Sequence, residues 1–434
     1  MSASANEITV GGARPLRGRL RVPGDKSISH RALLFAAIAD GRSTVTGLAT
    51  GDDVASSRAA IELLGVRAKG TTERLTITAS GFDGLREPGG VVDCGNSGTS
   101  MRVLSGLLAG RPFLSVLDGD ASLRQRPMAR VVEPLRAMGA TIDARADGTL
   151  APIAIRGGGL RGGSFTPSVA SAQVKSALVL AGLQASGPIE ITELAPSRDH
   201  TERMLAALGA PVTVGDGVVR VGAGQPQAFE LAVPGDPSSA AFFVVAACIT
   251  PGSELVIDDV ALNPSRIAFV DVLRRMGADI DVEEVEVRVG EPVGSITVRA
   301  ADLHGTEIAG AEVVAVQDEI PALAVAAAFA DGVTDIRDAA ELRVKESDRI
   351  GTVEQELGQL GIGVESRADG LAIRGGRPQA ATMKGHGDHR IAMAAAIAGH
   401  AIEADSTVRG WSIAAVSYPT FLDDLASVTG GGHD

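Results

Sequence analysis

Apolar residues in this chain come in short, dense blocks that each follow a polar or glycine-rich turn, and the alternation repeats. Val22 to Ile38 shows it first: a Pro-Gly-Asp turn leads to Ser27, a helix-capping residue type, and an apolar run from Ala32 to Ile38 follows. The pattern predicts a helix that starts near Ser27. Five further stretches share it: Asp93 to Leu108, Pro167 to Leu183, Gly235 to Ile249, Gln317 to Ala330 and Gly387 to Ala398. Each leads through a short turn into a β-rich run, among them STVTGL, SVLDG, IEITEL, SELVIDDV, TDIRDA and STVRGW. A second helix signal ends on a Leu-Gly or Met-Gly step at Gly65, Gly139, Gly209, Gly277 and Gly361. The period is about 70 residues, too long for a solenoid repeat and right for one βαβ-type unit. Six such units span nearly the whole chain. Val22-Pro23-Gly24-Asp25 and Val233-Pro234-Gly235-Asp236 are near copies, which predicts an α/β protein of two halves with three units each.

Composition narrows the function classes. A chain of 434 residues is long enough for two well-buried domains. A net charge of -13 argues against nucleic acid or a membrane surface as the main partner. Cys94 and Cys248 are the only cysteines, so no disulfide framework is implied and a reducing cytosol fits. The first residues, MSASANEITV, lack a basic segment followed by an apolar core, so no signal peptide is expected. The longest apolar runs, Pro321 to Ala330 and Ile391 to Ala398, are too short to span a bilayer. A cytoplasmic location is expected.

Candidate chemistry gathers at the helix starts. Lys26 and Arg31 stand where the helix dipole disfavours cations, which suits an anionic ligand between them; two solvated basic residues would look the same. Asp93 to Thr99 is a glycine-rich turn in which Gly95 and Gly98 permit close backbone approach and Asn96 can donate. Arg124, Arg126 and Arg130 lie on one loop, suited to phosphate or carboxylate capture or simply to solvent. Asp318 and Glu319 open the fifth apolar block, where carboxylates also serve as ordinary caps. Helical spacing would put Lys345 and Arg349 on one face with Glu346 beside them, as an exposed ion-paired helix also would. His386-Gly387-Asp388-His389-Arg390 lacks the further ligands that a metal site needs.

Together, GDKS at Gly24 to Ser27, SAQVK at Ser171 to Lys175, RDHTE at Arg198 to Glu202, RVKESDR at Arg343 to Arg349 and GDHRIAM at Gly387 to Met393 resemble the enolpyruvyl transferases. The likeness runs in family order from about Ile8 to Leu425. The first three motifs, with Asn263-Pro264-Ser265-Arg266, resemble the set that marks a class II form, with Glu202 replacing its Arg and Ser265 its Thr.

The resemblance implies two similar domains, each of three βαβαββ units, forming an inside-out α/β barrel with a pseudo-sixfold repeat. Residues 1–24 with 236–434 would form one domain and 25–235 the other, with the active site in the cleft between them. The implied reaction moves the enolpyruvyl group of phosphoenolpyruvate to the 5-hydroxyl of 3-phosphoshikimate by addition and elimination, on the route to chorismate and the aromatic amino acids. By similarity Asp318 is the base, Glu346 the proton donor, and Lys26 shares proton traffic. Lys26, Ser27, Arg31, Ser171, Ala172, Gln173, Arg198, Asp318 and Lys345 would hold 3-phosphoshikimate. Lys26, Asn96, Gly98, Arg124, Gln173, Arg349 and Arg390 would hold phosphoenolpyruvate. No metal or organic cofactor is implied, and a monomer is the family expectation. Gly98 leaves room for glyphosate as an inhibitor, whereas Val416 stands where many relatives carry a lysine. Two alternatives are a UDP-N-acetylglucosamine enolpyruvyl transferase, whose loop cysteine near Arg124 is missing here, and a non-catalytic repeat scaffold.

Overall fold

Each of the six apolar blocks folds into a helix whose residues are buried on nearly every side: Lys26–Ile38, Gly98–Ala109, Ala172–Gly182, Pro237–Ile249, Ile320–Phe329 and His389–His400. Apart from a few buried polar side chains they are apolar all round, the pattern of core helices. Small residues let them pack closely. A methyl group on Gly106 would lie 2.0 Å from the carbonyl oxygen of Ala177, so only glycine fits where the second and third helices meet.

The computed structural model describes residues 6–430. The reading of the N-terminus as free of a signal peptide rests partly on residues 1–5, which lie outside the described residues, as do 431–434. Among the described residues no helix is long and apolar enough to cross a membrane.

Helix starts follow local capping chemistry, with two departures from the sequence reading. Asp25, not Ser27, caps the first helix, accepting from Ile28 N at 2.7 Å. The carboxylate two residues upstream already satisfies the first turn, so Lys26 and Ser27 become helical. Ser97, Asp236 and Asp388 cap in the same way. The fifth helix starts at Ile320, and the side chain of its N-cap residue, Glu319, makes no capping bond, so ordinary capping does not account for that carboxylate. Five amphipathic helices alternate with the buried ones: Asp52–Leu63, Ala129–Met138, His200–Ala207, Ala268–Arg275 and Arg349–Gln359. The glycine after each, at 65, 139, 209, 277 and 361, takes a φ between +79° and +113°, which ends the helix at little cost.

Among the described residues the strands make six small sheets of one recurring plan. In the sheet around Leu114–Asp118, that strand runs parallel to Val92–Asp93 and antiparallel to Leu150–Arg156, which in turn pairs antiparallel with Thr141–Ala144. The sheets around Asp40–Thr46, Ile189–Thr192, Glu254–Ala261 and Val333–Ile336 repeat the plan, and that around Ser406–Arg409 has three strands. Backbone packing divides the chain into two units. One holds Gly24–Val233 and Val287–Glu291; the other holds the chain up to Pro23, Pro234–Glu286 and the chain from Pro292. In the latter, Phe242, Phe243, Trp411, Tyr418 and Phe421 form an aromatic cluster with ring centroids 5.1–6.2 Å apart.

Candidate active site

In the unit that holds Gly24–Val233, the cations at the first helix start are fixed by polar partners. Lys26 Nζ lies 2.9 Å from Asp53 Oδ2, in the first turn of Asp52–Leu63. Arg31 is 3% exposed, and its three nitrogens are all engaged. Nε donates to Thr201 Oγ1 at 2.7 Å, Nη1 to the Ser27 carbonyl at 3.0 Å and Nη2 to Ser176 Oγ at 2.8 Å. Burial pushes the guanidinium down to about 10 against the charges of Glu202, Asp25 and Glu291, and Arg198 is near enough to lower it further. Ser176 donates to the Ala172 carbonyl at 2.6 Å, tying Arg31 to the turn that carries Ser171, Ala172 and Gln173.

Gln173 joins this turn to the glycine-rich one. Its Nε2 donates to Thr99 Oγ1 at 2.9 Å, and its Oε1 accepts from Arg102 Nη1 at 2.5 Å. A methyl group built on Gly98 would lie 3.0 Å from Arg102 Nη1 and 3.5 Å from Arg126 Nη1. Arg126 Nη2 also donates to Asn96 Oδ1. Asn96, Gly98, Gln173, Arg102 and Arg126 therefore share one place.

Arg124 stands apart. About half exposed, it makes a two-pronged bond to Asp118 at 2.9 and 2.5 Å, which holds that carboxyl below its ordinary value. The tight turn Leu123–Gln125 sends Arg124 and Arg126 to different partners. The choice among the loop's arginines was not legible in their spacing. Arg102 went unread altogether, although it lies four residues beyond Gly98 on one helix face.

The second constellation lies in the other unit and centres on Arg349, which is 1% exposed on its side chain. Nε donates to Asp388 Oδ2 at 2.8 Å and Nη2 to Glu346 Oε2 at 2.7 Å, while Nη1 reaches Asp318 Oδ1 at 3.4 Å. Burial alone would lower this guanidinium, yet the three carboxylates hold it above its ordinary value. Burial likewise pushes the Asp388 carboxyl up, and Arg349 overrides that and holds it below its ordinary value. Asp318 faces two more cations: Lys345 Nζ lies 3.7 Å from Oδ1 and Arg390 Nη2 3.9 Å from Oδ2. Arg390 Nη1 donates to the Asp318 carbonyl at 2.9 Å.

Lys345 and Arg349 are not on one helix face. Lys345 closes the turn Ala340–Val344, and Asp348 caps a new helix at Arg349, so the two meet at Asp318 through tertiary folding. Arg390 also lies 3.8 Å from Glu319, which accepts from Ser238 Oγ. Arg266 completes the row, donating to Ser238 Oγ at 3.0 Å and Asp236 Oδ1 at 2.9 Å. The Asn263-to-Arg266 motif thus supports the carboxylate beside Arg390. Among the described residues, no group of three or more His, Cys, Asp or Glu is arranged to hold a metal ion.

Residues 10–425 match the family model described as EPSP synthase (3-phosphoshikimate 1-carboxyvinyltransferase). The chain belongs to the EPSP synthase family. It is therefore an enzyme, with phosphoenolpyruvate and 3-phosphoshikimate as its substrates. A 3-phosphoshikimate 1-carboxyvinyltransferase of Chloroflexus aurantiacus is 53% identical over 428 residues, covering 97% of this chain and 98% of that one. One of Bacillus cereus is 47% identical over 416 residues, covering 95% and 97%. The solved EPSP synthase of Acinetobacter baumannii superposes with a TM-score of 0.89 at 41% identity, covering 97% and 98%. The enolpyruvyl transferase NikO of Streptomyces tendae, at 19% identity and a TM-score of 0.78, shares the fold. These matches support the 3-phosphoshikimate reaction rather than a UDP-N-acetylglucosamine acceptor or a scaffold without catalysis.

Within this EPSP synthase family member, the lysine of SAQVK is structural. Lys175 is 2% exposed, 2.7 Å from both Glu193 and Glu202. Val416 ends the turn Trp411–Val416 next to the aromatic cluster and contributes no charge.

Proposed function

We propose that Asp318 and Glu346 move the protons of the reaction while the two constellations hold the two anions. The observation that carries this reading is that one buried guanidinium, Arg349, holds both carboxylates, with Lys345 and Arg390 also within 4 Å of Asp318. In the addition step the 5-oxygen of 3-phosphoshikimate bonds to C2 of phosphoenolpyruvate. Asp318 takes the hydroxyl proton, and Glu346 gives a proton to the methylene carbon, which becomes methyl. In the elimination step Glu346 takes a methyl proton back as the C2–O bond to phosphate breaks. Phosphate leaves with that electron pair, accepts the proton held by Asp318, and the enol ether remains. Lys26 neutralises charge and shares proton traffic.

Lys26, Ser27, Arg31, Ser171, Ala172, Gln173, Arg198, Asp318 and Lys345 contact 3-phosphoshikimate. Lys26, Asn96, Gly98, Gln173, Arg349 and Arg390 contact phosphoenolpyruvate, and the geometry at Gly98 favours Arg126 over Arg124 as their companion. Local field rather than net charge lets a chain of charge -13 bind two anions. The chain works as a monomer in the cytoplasm; both cysteines are buried and unpaired, and burial pushes their thiols up to about 12. Phosphate release from phosphoenolpyruvate tests the reading. Release is expected with 3-phosphoshikimate and not with UDP-N-acetylglucosamine, and the reverse outcome overturns it.

Glyphosate is expected to inhibit by occupying the space beside Gly98. In Gly98→Ala the methyl projects at the two guanidinium groups, a misfit of about 1–3 kcal/mol. The inhibition constant should rise about tenfold or more, with a smaller rise in KM for phosphoenolpyruvate. Equal inhibition of both proteins would count against this placement.

A further inference from the structure

The first turn of the helix His200–Ala207 is pinned residue by residue. Its opening three side chains are all buried, and each is tied to a residue distant in the chain. His200 Nδ1 lies 2.8 Å from Glu291 Oε1, with the two side chains 0% and 1% exposed. Thr201 Oγ1 accepts from Arg31 Nε and shares a bond of 2.6 Å with Ser176 Oγ. Glu202 pairs with Lys175 at 2.7 Å. No side chain caps this helix, so these ties set where it begins.

Glu291 reaches His200 from an unexpected source. It ends Val287–Glu291, five residues that pack in this unit although the chain on either side of them belongs to the other. Gly290 lies flush against the same helix: at φ +79°, a methyl group there would sit 2.5 Å from the Arg203 carbonyl oxygen.

We propose that Glu291 is a positioning residue for Arg31. It fixes His200, and His200 fixes the neighbouring Thr201 where that hydroxyl accepts from Arg31 Nε. The inference rests on the reading of Arg31 as a contact of 3-phosphoshikimate. Two effects of Glu291 on anion binding have opposite sign. Its negative charge near Arg31 weakens attraction for an anion, so removing the charge alone would tighten binding. Its hold on the helix start orients Arg31, so removing that hold loosens binding.

Steady-state kinetics of Glu291→Gln, Glu291→Asp and Arg31→Lys decide between them. Glu291→Gln is expected to raise KM for 3-phosphoshikimate about tenfold while KM for phosphoenolpyruvate and kcat stay within about twofold. Glu291→Asp, which keeps the carboxylate, is expected to recover part of that loss. An unchanged or lower KM for 3-phosphoshikimate in Glu291→Gln overturns the proposal, as does a parallel loss in all three parameters. Arg31→Lys separates the two layers. If it leaves KM for 3-phosphoshikimate unchanged, the role of Arg31 itself is wrong; if it raises KM and Glu291→Gln does not, only the positioning role falls. Should Glu291→Gln not fold, His200→Asn removes the same tie from the other side and is read by the same criteria.

Discussion

Asp318→Asn and Glu346→Gln are each expected to lower kcat by between about a hundredfold and ten-thousandfold, the range of a positioned general base or acid. Both replacements keep side-chain shape and remove the ability to take or give a proton at the reacting atoms. Their effects on binding should differ. Glu346 is one of three carboxylates on Arg349, so its neutralisation leaves that guanidinium still paired with Asp388 and Asp318. Asp318, by contrast, is the shared partner of Lys345, Arg349 and Arg390. Removing its charge leaves three cations less compensated, which strengthens attraction for anionic ligands. In Asp318→Asn, KM for phosphoenolpyruvate should hold steady or fall while kcat collapses. Single-turnover measurement of phosphate release reads the chemical step directly, and a rate within threefold of the parent in either variant would remove that residue from the proposed mechanism.

The second large effect is expected at Arg349, where stability and binding are lost together. Arg349→Ala leaves Asp388, whose side chain is 0% exposed, without its guanidinium; breaking such a buried pair from one side costs about 3–5 kcal/mol. The pH dependence should change sign. In the parent, Asp388 is held below its ordinary 3.8, so its contribution is present above that value and is lost as pH falls below it. In Arg349→Ala burial and the charge of Glu346, which both raise the carboxyl, should outweigh the lowering by His389. A raised carboxyl binds a proton more tightly folded than unfolded, so the variant should gain stability on acidification from pH 7 towards 5. Urea midpoints at the two pH values measure this. A parent-like response in Arg349→Ala would show that Asp388 does not depend on Arg349. Adding Asp388→Asn should recover much of the lost stability without restoring affinity for phosphoenolpyruvate, because the second change relieves the buried charge but supplies no cation.

These expectations draw on residues the sequence made visible to different degrees. The repeat was legible because its punctuation is local. A capping Asp or Ser, an apolar run and a glycine at positive φ act within about one helical turn, so six buried helices and five amphipathic ones could be read directly. Motif identity likewise singled out Lys26, Arg31, Gln173, Asp318, Glu346, Arg349 and Arg390, since these stand inside or beside short conspicuous stretches.

What tertiary structure decided is which of these charges meet. Arg124 and Arg126 are two residues apart and chemically identical, yet the turn at Leu123–Gln125 gives one to Asp118 and the other to Asn96 and Gly98. Lys345 and Arg349 have helical spacing but come together at Asp318 only because Asp348 interrupts the chain between them and starts a new helix. Glu291 meets His200 across 91 residues, and no periodicity could announce that pairing. The physical reason is range. Caps and turns are settled by bonds between near neighbours in the chain, whereas the partner of a buried charge is fixed by how distant strands and helices pack.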